Sequence, residues 1–256
     1  MWPQGVDLEL LGELNSLPYL DMTLAMMQHF GADAQRQGRW VVVKPKPYQP
    51  RDFAVSSDWS AASYWYEIAA LCEECEIRLE GHFGELNGQQ LQGDAVVAQW
   101  MRPLGVETTA DGKVLVLRKK PMEGRVFSFD VSNSPDLFPA LAAVCAGLQV
   151  DARFTGIATQ GVKESDRVGA MQTELGKVGA IVERVSDNEA VLRPSQRLPM
   201  FERSAPLCFN SHGDHRIVMA LAPLSLKIGC LRFDCKEVVE KSYPGFWADA
   251  SFLPIG

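Results

Sequence analysis

Three glycines at equal intervals constrain this chain more than anything else in it. Gly31, Gly105 and Gly179 each end an amphipathic run, and they stand 74 positions apart. Gly38 and Gly112, each ahead of a β-rich stretch (Trp40 to Val43 and Val114 to Leu117), are again 74 apart. Cys72 and Cys145, each late in an apolar helix-like run, are 73 apart. A fixed period of this length marks repeated supersecondary units. The residue that ends a helix often needs a positive φ, which glycine reaches without a Cβ clash.

Each period has the same contents. A strand leads to an apolar helix (Ala61 to Leu71, Leu137 to Leu148, Ile217 to Leu226). A second strand follows (Ile77 to Gly81, Ala152 to Gly156, Cys230 to Cys235), then an amphipathic helix (Ala95 to Leu104, Asp166 to Val178, Pro244 to Phe252). Two strands close the unit, as in Val106 to Leu117 and Ala180 to Leu192. The pattern is βαβαββ, and strands alternating with helices imply an α/β fold. The residues before about 50 read as the second half of one more unit. Pro45, Pro47 and Pro50 then crowd a short stretch, which places a hinge near Pro50 to Val55.

Bulk properties exclude several classes. A net charge of −7 argues against a nucleic-acid surface, although a few local cations are enough to bind a small anion. No apolar run reaches the roughly 18 residues of a membrane helix, and the N-terminus lacks the basic-then-apolar pattern of a secretory signal. The six cysteines do not form a disulfide framework. Cys72, Cys145, Cys208 and Cys230 read as small buried hydrophobes, and the Cys72-x-x-Cys75 pair lacks a second pair or a His at zinc spacing. A reducing cytoplasm fits this usage.

The charged residues cluster where strands meet helices. Lys163-Glu164-Ser165-Asp166-Arg167 follows the strand-like run Phe154 to Ala158. Asp214-His215-Arg216 stands about fifty residues on, and Lys241 precedes Tyr243-Pro244. Helix N-termini favour anions, so three cations from three such junctions suit a ligand carrying carboxylate and phosphate groups. Asp136, just after Pro135, reads on its own as a capping carboxylate, and Lys163 with Glu164 as a solvated pair. Ser165 and Asp166 are helix caps.

Together these segments resemble the 5-enolpyruvylshikimate-3-phosphate synthases. The Lys-Glu-Ser-Asp-Arg run, the Asp-His-Arg run and Lys241-Ser242-Tyr243-Pro244 look like that family's signature. Ser16-Leu17-Pro18-Tyr19, Asp58 to Tyr64, Leu91-Gln92-Gly93-Asp94 and Ser134-Pro135-Asp136-Leu137 follow the family's order. The resemblance runs from about residue 12 to residue 250. It implies an inside-out α/β barrel of βαβαββ units, three per domain, with the active site between two domains. Residues 1–55 would then be the last part of the N-terminal domain's third unit, and residues 56–256 a C-terminal domain of three units.

The resemblance also implies a reaction: the enolpyruvyl group of phosphoenolpyruvate moves to the 5-hydroxyl of shikimate 3-phosphate, and phosphate leaves. Asp136 would accept the hydroxyl proton, Glu164 would protonate the methylene carbon, and Lys163 would bind the reacting oxygens. A glutamate acting as an acid near neutral pH needs a raised pKa. Ser16, Tyr19, Asp136, Thr159 and Lys163 would hold shikimate 3-phosphate. Arg167, Arg216 and Lys241 would clamp phosphoenolpyruvate, with His215 lining the site and Asp214 capping or orienting. No metal or organic cofactor is required, and the partners are small molecules alone, with a monomer expected for a complete enzyme. Leu17 stands where the family often has a basic residue, and Thr159 where many members have Asn or His.

The segments the family carries ahead of Ser16 are not in this sequence; two more units at the observed period come to about 160 residues. The isolated chain is therefore expected to be inactive. Two other readings stand beside this one: a UDP-N-acetylglucosamine enolpyruvyl transferase, and a non-catalytic anion-binding module with half a cleft.

Overall fold

The computed structural model describes residues 3–83, 91–111 and 113–256, and of Asp111 the backbone only. Gly112, one of the paired glycines above, lies outside the described residues. The chain begins with β1 (Val6–Glu9), α1 (Leu17–His29), β2 (Ala34–Gln37) and β3 (Trp40–Val43), in an antiparallel sheet ordered β1-β3-β2. Pro18 opens α1, where its missing N–H costs nothing. Gly31 ends the helix region at φ 90°, as the spacing predicts. Leu24, Ala32, Ala34 and Val41 form a small core of their own. The strand β1 has no counterpart in the sequence reading.

The next unit holds α2 (Trp59–Leu71), β4 (Glu76–Glu80), α3 (Val97–Met101), β5 (Val106–Asp111) and β6 (Val114–Lys119). A 3-10 turn, Gly93–Val96, leads into α3. The strand expected ahead of α2 is missing among the described residues. Residues 50–57 run as irregular chain, held to the β4 end by two bonds, Ser57 N to His82 O (2.7 Å) and His82 N to Ser57 Oγ (2.9 Å). Pro50 offers no donor and Ser56-Ser57 have little preference for a strand. Asp58 caps α2 by accepting from Ser60 N at 2.8 Å.

The following unit is whole. It runs β7 (Val126–Asp130), α4 (Phe138–Gly147), β8 (Asp151–Thr155), α5 (Arg167–Gly176), β9 (Ile181–Ser186) and β10 (Glu189–Arg193). The sheet order is β7-β8-β10-β9, with β7 and β8 parallel and the other pairs antiparallel. This is the expected βαβαββ arrangement. Gly105 and Gly179, after α3 and α5, have φ of 89° and 83°. A Cβ at Gly105 would lie 2.5 Å from Lys120 O, so that site excludes a side chain twice over.

The last unit holds β11 (Leu207–Phe209), α6 (His215–Leu221), α7 (Ser225–Ile228), β12 (Leu231–Phe233) and α8 (Phe246–Asp249). A 3-10 turn, Ala222–Leu224, joins α6 to α7, and β11 pairs with β12 in parallel. The closing pair of strands is absent among the described residues, so three full βαβαββ units are not formed. The helix expected over Pro244 to Phe252 is one short turn, because the 3-10 segment Lys236–Lys241 takes up the preceding residues.

The helices α2, α4 and α6 pack against one another at the centre. All ten residues of α4 are buried, which matches its sequence: apolar on every side, with four alanines that let neighbours come close. Strands such as β7 and β8 bury alternate residues and turn the others to solvent. Helices inside and sheets outside is the α/β architecture expected. At the end of α4, a Cβ on Gly147 would sit 2.6 Å from Leu71 Cδ2 and 3.0 Å from Leu224 Cδ2. The C-terminal ends of α2 and α4 and the turn after α6 therefore meet at Gly147.

Candidate active site

The opposite ends of those helices carry carboxylates. Asp58, Asp136 and Asp214 stand 78 positions apart and lie at the N-terminal ends of α2, α4 and α6. The outer helices start in the same region. Positions 19, 93, 167 and 241 stand 74 apart, and Tyr19, Asp94 (one beyond Gly93), Arg167 and Lys241 occupy that frame. Repetition thus collects polar groups at one end of the helix layer.

Arg167 is the hub. Its guanidinium is 1% exposed and binds three carboxylates: Nε to Asp214 Oδ2 at 2.8 Å, Nη1 to Asp136 Oδ1 at 2.7 Å, and Nη2 to Glu164 Oε2 at 2.9 Å. Asp136 also meets Arg216 (3.0 Å) and Lys163 (3.3 Å). Glu164 Oε1 meets Lys241 Nζ at 2.5 Å. Arg167 shares Asp136 with Arg216 and Glu164 with Lys241, so these three cations lie around two common carboxylates. Arg167 and Arg216 are largely buried while Lys241 is more than half exposed, and all three are already paired with carboxylates. Four cations already meet three carboxylates, leaving one net positive charge.

The carboxylates titrate accordingly. Burial pushes Asp136 up, but Arg216, Lys163 and Arg167 outweigh it and hold the group below the usual carboxylate range. Asp136 therefore makes ion pairs rather than a helix cap; the turn Pro135–Leu137 has no side-chain cap. Glu164 is pushed down to about 2, chiefly by the hydrogen bond from Lys241. The raised value that an acid at neutral pH needs is thus not present in this state, because Lys241 and Arg167 stabilise the charged form.

Other expected residues are divided. Tyr19 joins the cluster: its hydroxyl faces the buried Asp94, and burial with that carboxylate raises its pKa. Ser16 does not. It sits at φ 56°, donates its backbone N–H to Ser132 O (2.9 Å), and makes no capping bond with its hydroxyl. Thr159 lies in the turn Ala158–Val162, with a buried hydroxyl that has no partner and no direct bond to the cluster. His215 is buried behind Asp214, 3.5 Å away, and burial lowers its pKa toward the neutral imidazole. Asp214 caps α6 through Arg216 N (2.9 Å) and also accepts from Ser165 Oγ (3.0 Å), so it ties the start of α6 to the segment leading into α5. Asp166 caps α5.

Three participants carried no expected role. Asp94 is fully buried and accepts from Ser60 Oγ at 2.5 Å, and the buried Tyr64 hydroxyl faces Arg216 without a well-aligned bond. The signal for Asp94 was the repeat itself, which puts it beside the position equivalent to Tyr19 and Arg167. Among the described residues no group of His, Cys, Asp and Glu could hold a metal ion.

The sequence matches the family model of EPSP synthase (3-phosphoshikimate 1-carboxyvinyltransferase) over residues 3–249. The chain belongs to the EPSP synthase family. A 3-phosphoshikimate 1-carboxyvinyltransferase from Bacteroides fragilis is 38% identical over 247 residues, covering 96% of this chain and 58% of the relative. One from Methanoculleus marisnigri is 36% identical over 250 residues, covering 95% of this chain and 55% of the relative. The chain thus spans a little over half the length of these curated relatives.

Solved structures agree on the fold. The EPSP synthase of Acinetobacter baumannii superposes with a TM-score of 0.69 at 21% identity, covering 99% of this chain and 57% of that one. The enolpyruvyl transferase NikO of Streptomyces tendae gives 0.66 at 14% identity, covering 98% and 55%. The EPSP synthase match covers the Lys163–Arg167 and Asp214–Arg216 clusters and Lys241 alike.

Proposed function

We propose that this chain supplies one wall of an active site that transfers the enolpyruvyl group of phosphoenolpyruvate to the 5-hydroxyl of shikimate 3-phosphate, releasing phosphate. The observation that carries the reading is the convergence of Arg167, Arg216, Lys163 and Lys241 on Asp136 and Glu164 in a chain of this family. A donor with carboxylate and phosphate needs several cations, and the proton transfers need two carboxyl groups. The cluster offers both at one place.

The roles follow from the chemistry. Asp136 takes the proton of the acceptor hydroxyl as its oxygen adds to C2 of phosphoenolpyruvate, and Glu164 delivers a proton to C3. Lys163, Arg167, Arg216 and Lys241 stabilise the anionic groups of the tetrahedral ketal. Loss of phosphate with removal of a methyl proton completes the exchange. Ser16, Tyr19 and Thr159 belong to the shikimate 3-phosphate side, and His215 orients from behind.

The separate core around Leu24 and Val41 supports a domain boundary near residue 55. Residues 1–55 would then belong to a first domain and 56–256 to a second. No helix is long and apolar enough to cross a membrane among the described residues, and a cytoplasmic site of action is part of the proposal. The UDP-sugar acceptor and the non-catalytic module are disfavoured by the names of the similar relatives above, 3-phosphoshikimate 1-carboxyvinyltransferases.

Phosphate release from phosphoenolpyruvate and shikimate 3-phosphate tests the proposal. Background rates are expected from the 256-residue chain alone. Turnover is expected when the length carried by the relatives is supplied in the same polypeptide. No turnover from that polypeptide, or turnover with a UDP-sugar acceptor instead, would overturn the assignment.

A further inference from the structure

Glu164 presents a problem for its own role. Its two oxygens are held by different cations, Oε1 by Lys241 (2.5 Å) and Oε2 by Arg167 (2.9 Å). A carboxylate so placed is an anionic ligand in all but covalent attachment. It occupies the gap between two cations that come from equivalent positions of successive repeats. The remaining groups around it do not compete for this task. Asp214 and Asp136 take the other nitrogens of Arg167, and His215, the third titratable group facing Glu164, is buried, which lowers its pKa.

We propose that the Glu164 carboxylate is a placeholder: an entering anion takes its position between Lys241 and Arg167, and the displaced Glu164 becomes the protonatable group beside the bound ligand. The inference rests on the anion-binding reading above and adds its control. Binding and acid formation are one event. While the site is empty of ligand, Lys241 and Arg167 keep Glu164 ionised. Once their charge is spent on a ligand's carboxylate or phosphate, the same glutamate faces added negative charge and loses its hydrogen bonds. Both changes favour the neutral acid. Lys241, 57% exposed on a side chain with many rotamers, is the partner free to move; Arg167 is fixed by two further carboxylates. The site also resists weak anions, since any newcomer must outbid a tethered carboxylate for the same two donors.

Sulfate is a suitable probe because it does not titrate between pH 4 and 8. Its affinity for the chain is measured calorimetrically for the natural sequence, for Glu164→Gln and for Glu164→Gln with Lys241→Met. The single variant keeps the shape and removes the competing charge, so sulfate is expected to bind about fivefold more tightly, the effect of one partly exposed ion pair. The added Lys241→Met should abolish the gain. Equal or weaker sulfate binding by Glu164→Gln would overturn the proposal. A second measurement needs no variant: the side-chain carboxyl carbon of Glu164, followed by NMR across pH, should titrate at a higher pH with saturating sulfate than without. An unchanged titration with sulfate bound would overturn the proposal as well. Neither readout uses a substrate or turnover, so each fails separately from the proposed transfer.

Discussion

Arg167 and Asp214 close on each other at 2.8 Å with side-chain exposures of 1% and 0%, yet they lie 47 residues apart in two different repeats. The pair stitches the start of α5 to the start of α6. Each charge would be costly where it lies without the other.

Asp214→Ala is therefore expected to lose about 3–5 kcal/mol of unfolding free energy, the range for breaking a buried pair, with the α6 cap lost at the same time. Lys241→Ala, which removes an exposed partner, should cost less than about 1 kcal/mol. Urea unfolding of the two variants under identical conditions compares them. Similar losses in both would show that Arg167 finds other compensation.

Glu67 leads to an opposite expectation. It is fully buried in α2, neither oxygen has a partner, and burial pushes its pKa well up. A carboxyl whose folded pKa is raised costs nothing extra while both states are protonated. The penalty grows as pH rises through the unfolded value toward the folded one. Glu67→Met should thus raise stability at pH 7 by roughly 1–4 kcal/mol, by analogy with apolar replacement of buried ionic groups. The gain should shrink toward pH 4. A variant less stable than the parent at pH 7 would mean that Glu67 has a favourable partner.

Asp136 and Glu164 behave as ordinary depressed carboxylates. Their contribution is fully present above the unfolded values and is lost as pH falls through the folded ones. For Glu164 that window runs from 4.5 down to about 2. The urea midpoint should fall through this range in the parent chain and fall less in Glu164→Gln. Parallel curves would remove Glu164 from the acid response.

In a polypeptide of the relatives' length that contains this chain, Asp136→Ala and Glu164→Ala should lower kcat on the order of 10²–10⁴-fold each, with smaller changes in KM, as expected for groups that move protons. Steady-state kinetics with both substrates varied makes the test. A near-normal kcat in either variant would end that residue's assigned role.

The sequence made some of this legible and hid the rest for physical reasons. Spacing located Gly31, Gly105 and Gly179 because a positive φ leaves a mark in residue type. The central helices were visible as apolar runs such as Leu137 to Leu148. The cations were visible because charged residues at strand-to-helix junctions are few. What spacing did not carry was pairing. That Glu164 would sit ionised between Lys241 and Arg167 depends on two side chains from elements 74 positions apart in sequence. Nor does residue type tell that Asp94 would be buried against Ser60 while the Ser16 hydroxyl would make no capping bond. The weak strand before α2 failed for a local reason, a proline and two serines where a ladder needs donors and branched side chains.

Gly147 gives the core a say in the electrostatics. The missing methyl there lets the far ends of α2, α4 and the turn after α6 close up on one another. The same helices carry Asp58, Asp136 and Asp214 at or just before their other ends. A single added carbon at position 147 would act as a wedge at the fulcrum. It would alter the gaps between charges at the opposite pole without touching any of them, so the spacing of the anion-binding groups is set in part by hydrocarbon volume several helical turns away.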